Sequence, residues 1–114
     1  MSLKTRNVDG VLIFDFDGDD ISAFKDDMHI IIEEASKKTN KIIINLKNMQ
    51  HINSHLIGVI SSSKRMMSAL NGDLVVINVS EKIQNIFKVV HLDKIIKITT
   101  NETEAIDYLK TLNS

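Results

Sequence analysis

The stretch Lys41 to Gly58, KIIINLKNMQHINSHLIG, constrains the fold most, because an unbroken apolar strand runs into a polar turn that opens a helix. The same succession recurs along the chain. Val11 to Phe16 is an apolar run closed by the acidic turn Asp17-Gly18-Asp19-Asp20. Phe24, Met28, Ile31, Ile32 and Ala35 then recur near the helical period, predicting a helix over about 23–38 with Ser22 as its cap. Ile42, Ile43, Ile44 and Leu46 form the continuous apolar strand that parallel sheets bury on both faces. Leu56, Ile60, Met67 and Leu70 mark a second helix, with Ser54 placed to cap its start and Asn71-Gly72 to stop it. Leu74 to Val79 is another strand. Ile83, Ile86, Phe87 and Val90 then predict a short third helix capped by Ser80. Ile95 to Ile98 reads as a last strand, and Ala105, Leu109 and Leu112 set the inner face of a terminal helix whose Asn101 and Glu104 have capping-box spacing. A shorter strand around Leu3 to Arg6 is placed to pair with the first.

Strands alternating with helices predict a single α/β domain over residues 1–114, with a mostly parallel sheet of four to five strands, about four helices and right-handed crossovers. Sheets of this kind place ligands or partners beyond the carboxyl ends of their strands. Ser54, the turn from Gly18 to Ser22 and Ser80 all follow strand ends, so they are expected on one edge of the domain.

Composition narrows the function classes. A net charge of −1, spread through the length, offers no basic face for nucleic acid, and 4% aromatic content leaves few platforms for stacking bases. With no cysteine there is no disulfide framework, thiolate metal site or thiol nucleophile. No leader-like start and no span-length apolar segment point to a cytoplasmic chain with no membrane role.

Metal and catalytic motifs fare little better. Asp15, Asp17 and Gly18 in VLIFDFDGDD resemble the first motif of the haloacid dehalogenase phosphatases, but Asp19 stands where that motif has threonine, and no later strand ends in a magnesium-binding acidic pair. The alternating aspartates also lack the glutamate that closes a calcium loop. His51 and His55 are four apart, yet His51 precedes the helix and no third ligand accompanies them. The four glycines are isolated, so no phosphate-cradling loop exists. No cofactor and no metal are expected.

Ser54 admits two compatible roles. As an N-cap its hydroxyl would accept from an orphan amide of the second helix, stabilising by roughly 1 kcal/mol. As a phosphoacceptor it would place about two negative charges where free N–H groups and the helix dipole favour them. At this level the chain is similar to the STAS domains, and within them to the single-domain anti-sigma factor antagonists of bacteria. That family's motif is an apolar strand, a polar link, then Asp-Ser-Ser-Gly-Leu-Gly opening a helix; here the run is Asn53, Ser54, His55, Leu56, Ile57 and Gly58. Gly18 and Asp19 resemble its turn before the first helix, and Ile83 to Ile98 its third helix and last strand.

The resemblance implies a non-enzymatic switch. The unphosphorylated domain, a monomer or weak homodimer, would bind an anti-sigma factor that is itself a serine kinase; phosphorylation of Ser54 would end binding and a serine phosphatase would restore it. Asn53, Ser54, His55, Leu56 and Gly58, with Gly18, Asp19, Asp20 and Ser22, would form the partner surface. Asn53, His55 and Leu56 depart from the motif, where the family has aspartate, serine and glycine. The alternatives are an unmodified STAS scaffold in another partner-switching assembly and a degenerate phosphatase built on Asp15.

Overall fold

The apolar runs form strands and the segments of helical period form helices. The computed structural model describes residues 2–17 and 27–112. Within them β1 (Ser2–Val8) and β2 (Val11–Asp17) form a hairpin, followed by α1 (Asp27–Ser36), β3 (Lys41–Asn48), α2 (Ser54–Ala69), β4 (Asp73–Ile77), α3 (Glu81–Val89), β5 (Lys97–Thr99) and α4 (Glu102–Lys110). The five strands form one sheet in sequence order; β1 is antiparallel to β2 and the other neighbours are parallel. The sheet is therefore mixed, with the predicted parallel core. Asp9 and Gly10 make the hairpin loop, both with positive φ (53° and 84°), a backbone twist that matches the flanking strands. The expected cap Ser22 and helix start near Ala23 lie outside the described residues.

Each strand interior points to both faces, and each face is covered. Ile32 and Ala35 of α1, Leu56, Val59, Ile60 and Met67 of α2, and Ile83 and Phe87 of α3 pack with Phe14, Phe16, Ile42, Ile44, Leu46, Leu74 and Val76. On the opposite face Ala105, Ile106 and Leu109 of α4 pack over Val11, Ile13, Ile43, Val75 and Ile77. This double covering explains why β3 and β4 read as unbroken apolar runs.

The last strand begins later than its sequence suggests. His91 sits in the left-handed region (φ 62°) after α3, and Leu92–Lys94 form a 3-10 turn in which the Ile95 and Ile96 amides bond back to the Leu92 carbonyl. Those two donors are thereby withdrawn from the ladder, so pairing with β4 starts at Lys97.

One buried carboxylate ties three elements together. Asp73, at the start of β4, takes the ammonium of Lys64 from α2, the hydroxyl of Tyr108 from α4 at 2.6 Å and the N–H of Leu74 at 2.8 Å. Burial alone would push its carboxyl up, but these donors together hold it below the ordinary carboxylate range. The Tyr108 hydroxyl, donating to Asp73 and part-buried, is pushed up to about 12. A depressed carboxyl contributes stability that is present above its unfolded value of 3.8 and is lost as pH falls through the folded value. Wild type is therefore expected to lose more stability between pH 6 and about 3 than Asp73→Asn, read from urea midpoints at the two pH values. Equal losses would remove Asp73 from the acid response.

Candidate functional site

Why α2 starts where it does follows from the residues that flank it. Asn53 has extended backbone (φ −118°, ψ 170°), and its side-chain oxygen accepts from the Leu56 N–H at 2.8 Å. Its carbonyl accepts the first intrahelical bond, from Ile57. Asn53 is thus the N-cap and Ser54 is the first helical residue, which corrects the expectation that Ser54 caps. Asparagine and serine are about equally good caps, so propensity does not choose between the neighbours. Hydrophobic spacing does. With Asn53 as cap, Ile52 and Ile57 take the two positions of a hydrophobic staple, and both pack against the core; a cap at Ser54 would assign those positions to Asn53 and Gly58.

Relieved of capping, Ser54 is exposed at the first turn of α2, on the edge beyond the carboxyl end of β3. Asn53 and Gly58 are exposed too, and His55 is half-buried. A Cβ at Gly58 would meet nothing within 4 Å, so that glycine answers to no packing demand inside the domain. Leu56 turns inward at 3% exposure and belongs to the core, which corrects its expected place on the partner surface. Ser80 shares the edge and does cap α3, accepting from the Ile83 N–H at 3.2 Å. Gly18, Asp19, Asp20 and Ser22 lie outside the described residues.

The cap assignment separates two neighbouring side chains by their effects. Asn53→Ala is expected to lower stability by about 1 kcal/mol, whereas Ser54→Ala stays within about 0.5 kcal/mol of wild type. Chemical denaturation of the two variants reads the contrast directly, and the reverse order would restore Ser54 as the cap.

Two features of this edge escaped the sequence. From the first turn of α3, the Lys82 ammonium reaches the loop before α2 and lies 3.2 Å from His51 Nδ1. On the far face, Arg6 of β1 grips Asp15 (2.5 and 3.0 Å) and Glu102 of α4 (2.6 and 3.3 Å). Asp15 also accepts from the Asn45 amide at 2.7 Å, and Asn45 accepts from Asn78 at 3.0 Å. The Arg6 hydrogen bonds, helped by Asn45 and opposed by partial burial, hold the Asp15 carboxyl below its ordinary range. The guanidinium is correspondingly raised, first by Asp15 and then by Glu102. Both oxygens of Asp15 are thereby engaged in joining β1, β2 and β3, a structural use of the residue that the phosphatase-like motif would make a nucleophile. Among the described residues no three His, Asp or Glu side chains are grouped to hold a metal ion, and no helix is long and apolar enough to cross a membrane.

A model of the STAS domain family matches residues 2–105. An anti-sigma F factor antagonist of Paenibacillus polymyxa is 26% identical over 115 residues, covering 99% of this chain and 98% of that protein. A Thermotoga neapolitana protein provisionally named as an anti-sigma factor antagonist homolog is 28% identical over 75 residues, 66% of each chain, so the match spans about two thirds of that relative. The anti-sigma factor antagonist SpoIIAA in its unphosphorylated form superposes with a TM-score of 0.78 at 17% identity, covering 96% of this chain and 98% of that one, a likeness of fold.

Proposed function

Because the chain belongs to the STAS domain family, we propose that it is an anti-sigma factor antagonist: it binds an anti-sigma factor that is also a serine kinase, and phosphorylation of Ser54 ends the binding. A serine phosphatase resets the switch, the cycle runs in the cytoplasm, and the domain itself carries out no catalysis. The partner surface comprises Asn53, Ser54, His55 and Gly58, together with Gly18, Asp19, Asp20 and Ser22.

The observation that carries this reading is the placement of Ser54. Its hydroxyl is exposed at the first residue of α2, and the neighbouring Asn53 performs the capping bond. A phosphate can therefore be added without removing a bond that holds the helix, and the helix start tolerates the new negative charge. In a close-packed interface the same dianion meets desolvation and repulsion. The domain keeps its fold in both states and only the docking changes.

The direct test is incubation of the purified domain with the serine kinase encoded beside it or elsewhere in its genome, ATP and magnesium, followed by phosphopeptide mapping. A single phosphate on Ser54, absent from Ser54→Ala, is expected. Modification confined to other residues, or none with any such kinase, would leave an unmodified scaffold as the better description.

A further inference from the structure

We infer that Lys82, positioned by its contact with His51, is a counter-charge built into the domain for a phosphate on Ser54, so that the phosphoserine is held against its own surface. The inference rests on Ser54 being the phosphoacceptor and adds how the modified residue is bound.

Lys82 projects from the first turn of α3 toward the loop leading into α2, where its ammonium lies 3.2 Å from His51 Nδ1. Among the described residues no carboxylate pairs with it, although Glu81 is its chain neighbour. An ammonium has three donors, and an imidazole nitrogen takes one of them without neutralising the charge. The ammonium thus keeps its charge and its remaining donors beside His51. His51 is three residues from Ser54, which limits their Cα separation to about 11 Å. The flexible four-carbon stem of lysine and the added length of a phosphoseryl side chain are what would bridge that span. Of the other charged or titratable groups in these elements, β3 carries Lys41 and Lys47, α2 carries Lys64 and Arg65 with His55 beside Ser54, and α3 carries Glu81 and Lys88, so Glu81 is the one carboxylate on β3, α2 and α3. Phosphorylation would draw the ammonium from His51 onto the phosphate oxygens, forming a charge-assisted bond between α3 and the start of α2.

The experiment uses the full chain with phosphoserine installed at position 54 during translation, so that no kinase is needed. Its second phosphate ionisation is followed by 31P NMR. A nearby cation favours the dianion, so the midpoint is expected roughly one unit below the usual value of about 6. K82M should return it toward about 6. K37M, which removes the same charge from the exposed Glu34 pair on α1, should leave it unchanged. Identical titrations in the K82M and unsubstituted backgrounds, or an equal shift in K37M, would overturn the inference. Failure to find phosphate on Ser54 after kinase treatment would overturn the switch instead, and the two failures are read in separate experiments.

Discussion

Gly72→Ala is expected to lower the stability of the domain by about 3 kcal/mol or more, a larger loss than at the other described glycines, Gly10 and Gly58. A Cβ at this position would lie 1.7 Å from the Asn40 carbonyl oxygen and 2.6 Å from the Asn40 carbonyl carbon and Cβ. The obstacle is backbone, so a side-chain rotation cannot relieve it. The contact joins the loop entering β3 to the loop entering β4: Asn40 accepts from the Asp73 N–H at 3.0 Å, and its amide donates to the Leu70 carbonyl at 3.0 Å. Gly72 also closes α2 by donating to Met67 at 2.8 Å, while Asn71, at φ 64°, supplies the left-handed residue of the same cap. Pushing Gly72 away from Asn40 therefore strains the helix end and the start of β4 together. Gly10 is the control, because its φ of 84° disfavours a side chain but a Cβ there meets nothing within 4 Å. Gly10→Ala is expected to cost about 1 kcal/mol. Urea titration of both variants reads the contrast, and a Gly72→Ala loss near that of Gly10→Ala would show that the two loops separate easily.

Ser54→Glu is expected to weaken anti-sigma factor binding at least about a hundredfold, with Ser54→Ala close to wild type. The glutamate carries one of the phosphate's charges into the contact and occupies the volume of the hydroxyl and its surrounding water. It is not expected to damage the domain, since a negative side chain in the first turn of a helix is favourable by about 0.5 kcal/mol. Stability and binding should thus move in opposite directions. That divergence is what distinguishes a surface switch from a folding defect. Loss of binding accompanied by a comparable loss of stability would assign the effect to misfolding, and retained binding would remove Ser54 from the interface.

Much of the architecture was legible because it is written in apolar periodicity. Ile42 to Ile44 and Leu74 to Val76 had to be strands buried on both faces, and Asn101 and Ser80 did cap the helices that follow them. Boundaries were less legible where two residues compete for one role. Asn53 and Ser54 have similar cap propensity, and only the pairing of Ile52 with Ile57 distinguishes them. The late start of β5 depended on His91 adopting positive φ, which nothing in its neighbours demands. Leu56 looked like a surface substitution in a family motif, but its spacing with Val59, Ile60, Ser63 and Met67 puts it on the buried stripe of α2. The pairing of Lys82 with His51, and of Arg6 with Asp15 and Glu102, joins residues from separate elements. No local pattern could announce either.

The switch at Ser54 is tested most directly by calorimetric titration of the anti-sigma factor with this domain in its unmodified form and with phosphate on Ser54. The unmodified domain should bind, and the phosphorylated one should bind at least about a hundredfold more weakly while unfolding at the same urea concentration or a higher one. Equal affinity of the two forms would contradict the switch.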